Sequence, residues 1–99
     1  MKAKFKVLWS KESKLQFDKV IAYLRDEWTE KEVDKFILIL RTFEEVVSEF
    51  PELYAESKAG IRRAILTKHH SVIYRIDKKD ALIRVYTIFD NRQHPNKME

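Results

Sequence analysis

The stretch Trp28-Thr29-Glu30-Lys31-Glu32-Val33 ends one apolar stripe and begins another. Thr29 and Glu32 have the spacing of a capping box, in which a threonine hydroxyl and a glutamate satisfy the first free amides of a helix. Upstream, Phe17, Val20, Ile21, Leu24 and Trp28 recur at helical spacing. Downstream the stripe runs through Val33, Phe36, Ile37, Leu40, Phe43 and Val47, with Leu38, Ile39 and Val46 broadening it. Only Thr29 separates the two patterns, so the spacing predicts an antiparallel helical hairpin. Phe50-Pro51 ends the second helix, because proline restricts the residue before it and cannot continue the ladder.

Outward from the hairpin the period changes to two. Lys4-Phe5-Lys6-Val7-Leu8-Trp9 alternates polar and apolar as a half-buried strand does. Ser10 follows as an N-cap, and Ser13-Lys14-Leu15-Gln16 offers a second helix start. Residues 51–58 read as a loop. After Gly60, strands are expected at 61–67, 71–76 and 81–89, with Asp77-Lys78-Lys79-Asp80 as the last turn. The expected fold is α+β in the order β-α-α-β-β-β, a helical hairpin on one face of an antiparallel sheet, in one domain over residues 1–99.

Strand parity puts Ile83, Val85 and Phe89 on one face of the last strand and Leu82, Arg84, Tyr86 and Ile88 on the other. In the preceding strand Val72, Tyr74 and Ile76 oppose Ser71, Ile73 and Arg75. Helices on one side leave the other side of the sheet basic, aromatic and partly apolar, and function is expected there.

Ninety-nine residues, 44% of them hydrophobic, suffice for one modest core. The absence of cysteine removes disulfides, thiolate metal sites and cysteine nucleophiles, and fits a reducing compartment. A single glycine nearly excludes a phosphate-cradling loop. No apolar run approaches the roughly 20 residues of a membrane span, and the first residues lack a signal peptide's apolar segment. A cytoplasmic protein is expected. Residues 1–57 carry ten Lys/Arg against twelve Asp/Glu, whereas residues 58–99 carry ten against four. The basic half suits a polyanion or an acidic protein as partner.

In order and spacing the chain resembles the RelE/ParE superfamily of toxins from type II toxin–antitoxin pairs, nearer its ParE-like members. Val7-Leu8-Trp9-Ser10, Ile21-Ala22-Tyr23-Leu24, Phe50-Pro51, Gly60-Ile61-Arg62, Ile73-Tyr74-Arg75 and Ile88-Phe89-Asp90-Asn91-Arg92-Gln93-His94-Pro95 carry the resemblance. It implies a cognate antitoxin whose amphipathic segment wraps the toxin, with operator DNA reached only through that antitoxin. The second helix's broad stripe and Leu82, Tyr86 and Ile88 are the expected contacts. One branch of the superfamily cleaves mRNA on the ribosome, and the other poisons DNA gyrase through a protein contact. The expectation here is the gyrase-type contact, with ribosome-dependent mRNA cleavage or a degenerate antitoxin-binding member as alternatives.

The candidate catalytic residues are Arg92, Arg62 and His94. Arg92 sits where the resemblance places a catalytic arginine, and a guanidinium grips phosphate oxygens bidentately. His94 could exchange a proton near neutral pH. Arg62 matches a position where arginine is common in the superfamily. One of Arg62 and Arg63 should face the open side, and the other the helices or a sheet edge, where a salt bridge to a helix carboxylate is the alternative role. Tyr74 reads as core with one satisfied hydroxyl. His69 and His70, adjacent in a strand, would point to opposite faces and cannot jointly chelate an ion without a bulge. No cofactor or metal is expected.

Overall fold

The computed structural model describes residues 4–90, the side chain of Phe89 excepted. β1 (Lys6–Trp9) leads into α1 (Lys11–Glu27) and α2 (Glu30–Glu49). The chain then runs through β2 (Glu56–Lys58), β3 (Ile61–Ile65), β4 (His70–Asp77) and β5 (Leu82–Asp90). Ser10 caps α1, its hydroxyl oxygen accepting the Ser13 amide at 3.0 Å. Thr29 caps α2 in the same way from the Glu32 amide. The two-residue link Trp28-Thr29 makes the helices a hairpin as expected.

The five strands lie in the order β1-β5-β4-β3-β2. β1 pairs with β5 in parallel, and the other pairs are antiparallel. The α+β architecture is the expected one, but the sheet is mixed and has one more strand than the periodicity indicated. Parallel pairing of the first and last strands needs a long crossover, which the helices and the other strands supply. β2 lies within the stretch read as a loop. Glu56, Ser57 and Lys58 are all exposed, so no apolar alternation marked them. Their strand is set by the turn that follows. Ala59 and Gly60 both have positive φ, 43° and 80°, and the Gly60 amide donates to Glu56 Oε2 at 2.8 Å. That conformation is easy for glycine and costly for other residues.

Cross-strand neighbours point to the same side of a sheet, so the register sorts residues into rows. Trp9, Val85, Tyr74 and Arg62 form one row across four strands, and Ile88, Val72 and Ala64 another. These rows face the helices. Val72, Tyr74, Ala64, Ile83 and Ile88 are 0% exposed against Val20, Leu24, Val33, Phe36, Leu40, Phe43 and Val47. Trp9 also ties β1 to α2, its indole N–H donating to Glu44 Oε2 at 2.6 Å.

Ile88 corrects the expectation from simple parity, which put it on the open side with Leu82 and Tyr86. Opposite Ile73 stands Thr87 and opposite Tyr74 stands Val85, leaving Tyr86 as an extra residue in β5. A bulge of this kind shifts the alternation by one. Beyond it Ile88 and Asp90 turn inward, while Tyr86 is 39% exposed.

Candidate functional site

Two surfaces of the described residues carry unusual chemistry. The first is the open sheet face. Leu8, Arg84, Arg75 and Ile61 form a row across β1, β5, β4 and β3, flanked by the row Thr87, Ile73 and Arg63. Arg84 and Arg75 are directly opposed, which costs energy unless each charge has a counterpart. Arg84 takes Asp77, with Nε and Nη2 each 3.2 Å from Oδ2. Arg75 Nη2 donates to the Ala59 carbonyl at 3.0 Å. Arg63 donates to Ser71 Oγ from Nε and Nη2 at 3.4 Å. Asp77 also accepts the Asp80 amide at 3.1 Å. That backbone bond first, and Arg84 after it, hold the Asp77 carboxyl below the usual carboxylate range.

Arg62 and Arg63 divide between the faces as the alternation required. Arg62 lies in the helix-facing row, its Nη1 donating to the Tyr54 carbonyl at 2.7 Å and its Nη2 3.6 Å from Glu56 Oε1. The ionic partner therefore comes from β2 and not from a helix. Tyr74 beside it is fully buried and donates its hydroxyl to the Pro51 carbonyl at 2.8 Å. Burial pushes the Tyr74 phenol up to about 12, against a smaller opposing pull from Arg62. Arg92 and His94, the other two candidate catalytic residues, lie outside the described residues.

The second surface is a cleft of about 340 Å³ where the hairpin link meets the β3–β4 turn. Leu24, Trp28, Phe36 and Ile39 form its apolar walls, with Glu32, Lys35, Thr67, His69 and His70 as its polar groups. Ile39 also lines a neighbouring groove of about 330 Å³ with Leu38, Thr42, Tyr54 and Ile65. Leu38, Ile65 and Trp28 are 64%, 63% and 50% exposed, which is high for large apolar groups.

Sequence reasoning weighed His70 only as a metal pair with His69 and did not join it to Asp90 at this end. His70 and Asp90 are cross-strand neighbours, 5% and 1% exposed. Twenty positions separate them in the chain, and only the bulge at Tyr86 turns Asp90 inward, so no spacing rule would have joined them. His69 sits in the turn and not in the strand, so both histidines line the cleft. Among the described residues no three His, Asp or Glu side chains converge as a metal site.

A helical hairpin on a mixed sheet whose edge strand β1 runs parallel to β5, with an open face of arginines and aliphatic residues, defines a small α+β protein. Residues 7–95 match the family of the ParE toxin of the type II toxin–antitoxin system parDE, and the chain belongs to that family. Among solved structures it is similar in fold to a chain of the chromosomal ParDE system from P. aeruginosa. The TM-score there is 0.71 at 12% identity, covering 88% of this chain and 96% of that one. A chain of the RelBE2 toxin–antitoxin complex from Mycobacterium tuberculosis gives 0.61 at 13% identity, over 89% and 99%. The YoeB dimer from Staphylococcus aureus gives 0.58 at 12% identity, over 86% and 94%. No curated protein matches the chain in sequence. Among the described residues no helix is long and apolar enough to cross a membrane.

Proposed function

We propose that this ParE-family toxin inhibits growth by binding a protein target through its open sheet face, DNA gyrase being the target implied by the superfamily resemblance. The observation that carries this reading is the state of the arginines on that face. Arg63, Arg75 and Arg84 each donate to acceptors of the fold itself. Among the described residues the carboxylate of that face, Asp77, is engaged by Arg84 and the Asp80 amide, and both described histidines line the cleft. Ribose-directed RNA cleavage needs a base, an acid and cations free to meet a phosphorane. A protein contact needs apolar anchors among fixed polar groups, which Leu8, Tyr86 and Ile61 beside these arginines supply.

The cognate antitoxin is proposed to use the other surface. The exposed Leu38, Ile65 and Trp28 along connected grooves suit an amphipathic partner segment. In the nucleolytic alternative, Arg92 with His94 and Arg62 would carry ribosome-dependent mRNA cleavage, favoured by the basic C-terminal half. Brief expression of the toxin, with RNA ends mapped beside gyrase supercoiling, separates the two. Inhibited supercoiling with intact mRNA supports the protein-target reading. New cuts within translated codons, abolished by Arg92→Ala, would overturn it.

A further inference from the structure

Thr67, His70 and Asp90 form a chain of polar contacts under the cleft wall. Thr67 Oγ1 accepts the backbone amides of His69 and His70, each at 3.0 Å. A hydroxyl has two acceptor sites and one proton. With both acceptor sites used, its proton has one place to go, His70 Nδ1 at 2.8 Å. Nδ1 is therefore the unprotonated nitrogen, and the ring hydrogen sits on Nε2, which faces Asp90 Oδ2 at 3.5 Å. The ring packs on Phe36 of α2 with centroids 4.7 Å apart. His70 thus joins three elements: the β3–β4 turn through Thr67, the end of β5 through Asp90, and α2 through Phe36.

We infer that His70 is a proton-sensitive clamp, held as the neutral Nε2–H tautomer, whose protonation rearranges the Thr67–His70 turn and with it the His69 wall of the cleft. Two neighbours make opposite demands on the ring. Asp90 Oδ2, 3.5 Å from Nε2, attracts a hydrogen there and the imidazolium more strongly. Thr67 accepts only the neutral ring, because a hydrogen on Nδ1 would meet a hydroxyl oxygen already filled by two amides. Among the described residues the further charged or titratable groups around the cleft are Glu32 and Lys35 from α2, and Lys68 and His69 from the turn itself; α1 presents Leu24, with Trp28 just beyond it. Glu32 and Lys35 carry opposite charges. The Thr67 and Asp90 contacts thus favour different ring states. Acidification adds the second ring proton, breaks the O–H···N bond and forces the turn to release one of its amide bonds. The turn is short and its backbone bonds close on one another, Leu66 N to His70 O at 2.9 Å and Thr67 N to His70 O at 3.3 Å. A change at the hydroxyl therefore reaches His69 directly.

Nitrogen-15 NMR of the whole chain tests this without any partner. Expected at pH 7 is a His70 ring with Nε2 protonated and Nδ1 bare. As pH falls, the amides of His69 and His70 and the Trp28 indole should shift with the same midpoint as the His70 ring. In His70→Gln, whose amide offers an acceptor and a donor but cannot gain a proton, that shared titration should vanish while the resonances remain dispersed. A Thr67→Val variant, lacking the hydroxyl, should uncouple the His69 amide from the His70 ring. Hydrogen on Nδ1 at pH 7, or a His70 titration that leaves the turn amides and the Trp28 indole unmoved, would overturn the inference. The wild-type titration decides it even where a variant fails to fold.

Discussion

On the helix-covered face of the sheet, the row Trp9–Val85–Tyr74–Arg62 has a buried centre in Val85 and Tyr74, and its one arginine is spent on the Tyr54 carbonyl and Glu56. On the open face, the next row, Leu8–Arg84–Arg75–Ile61, sets two adjacent arginines between the exposed Leu8 and the half-buried Ile61. The two rows are built from residues one position apart in each strand. Packing fixes the first, since the enclosed residues can change neither volume nor polarity cheaply. The second is constrained by whatever meets it. An arginine is thus a fold residue or an interaction residue according to its row, and its neighbours in sequence do not reveal which.

The sharpest way to break this contrast is through Ile88 and Ile65, two isoleucines that sequence alone treats alike. Ile88→Ala removes a fully enclosed side chain and should cost about 2–5 kcal/mol in urea denaturation. Ile65→Ala, at a 63% exposed position, should stay within about 0.5 kcal/mol. Equal losses would mean that the bulge at Tyr86 is misplaced.

Tyr74→Phe should cost about 1 kcal/mol near neutral pH through the lost bond to the Pro51 carbonyl. The same substitution sharpens the alkaline limit. The folded-state value of Tyr74 is raised from 10.0 to about 12, so its contribution is complete below 10 and is lost as pH rises through about 12. Unfolding midpoints between those pH values should fall less steeply in Tyr74→Phe than in wild type.

Asp77 on the open face gives the smallest effect and the opposite sign. Its folded-state value is lowered by the Asp80 amide and Arg84, so its contribution is present above the usual carboxylate range and is lost as pH falls through the lowered value. Asp77→Asn should flatten the acid side of the stability profile slightly, read from urea midpoints between neutral and acid pH. An unchanged acid slope would show that the Asp77–Arg84 pair leaves the fold indifferent.

The helical hairpin was legible because its signals are local. The Ser10 and Thr29 caps, the stripe spacing and Pro51 each act within a turn or two. Tyr74 was legible too, because its apolar parity partners placed it in the core. β2 was hidden because an exposed edge strand of Glu-Ser-Lys needs no apolar pattern. The bulge was hidden for a different reason: an extra residue in one strand is defined only against its partner. Beyond it Ile88 was given the wrong face, and the inward turn of Asp90 that brings it to His70 went unseen. Arg62 could be paired with Arg63 on opposite faces from sequence, but which faced outward required the register with Tyr74 and Val85. Arg92 and His94 remain proposals drawn from the resemblance.

The most direct test of the central claim, that the open face is the surface that acts, is purified gyrase supercoiling titrated with wild-type toxin, Arg75→Glu and Tyr86→Ala, each first checked for an unchanged urea midpoint. Inhibition by the wild type is expected, with a loss of at least about tenfold in potency for both variants, the scale of an interface anchor. Full potency in both variants, or no inhibition by wild-type toxin, would contradict it.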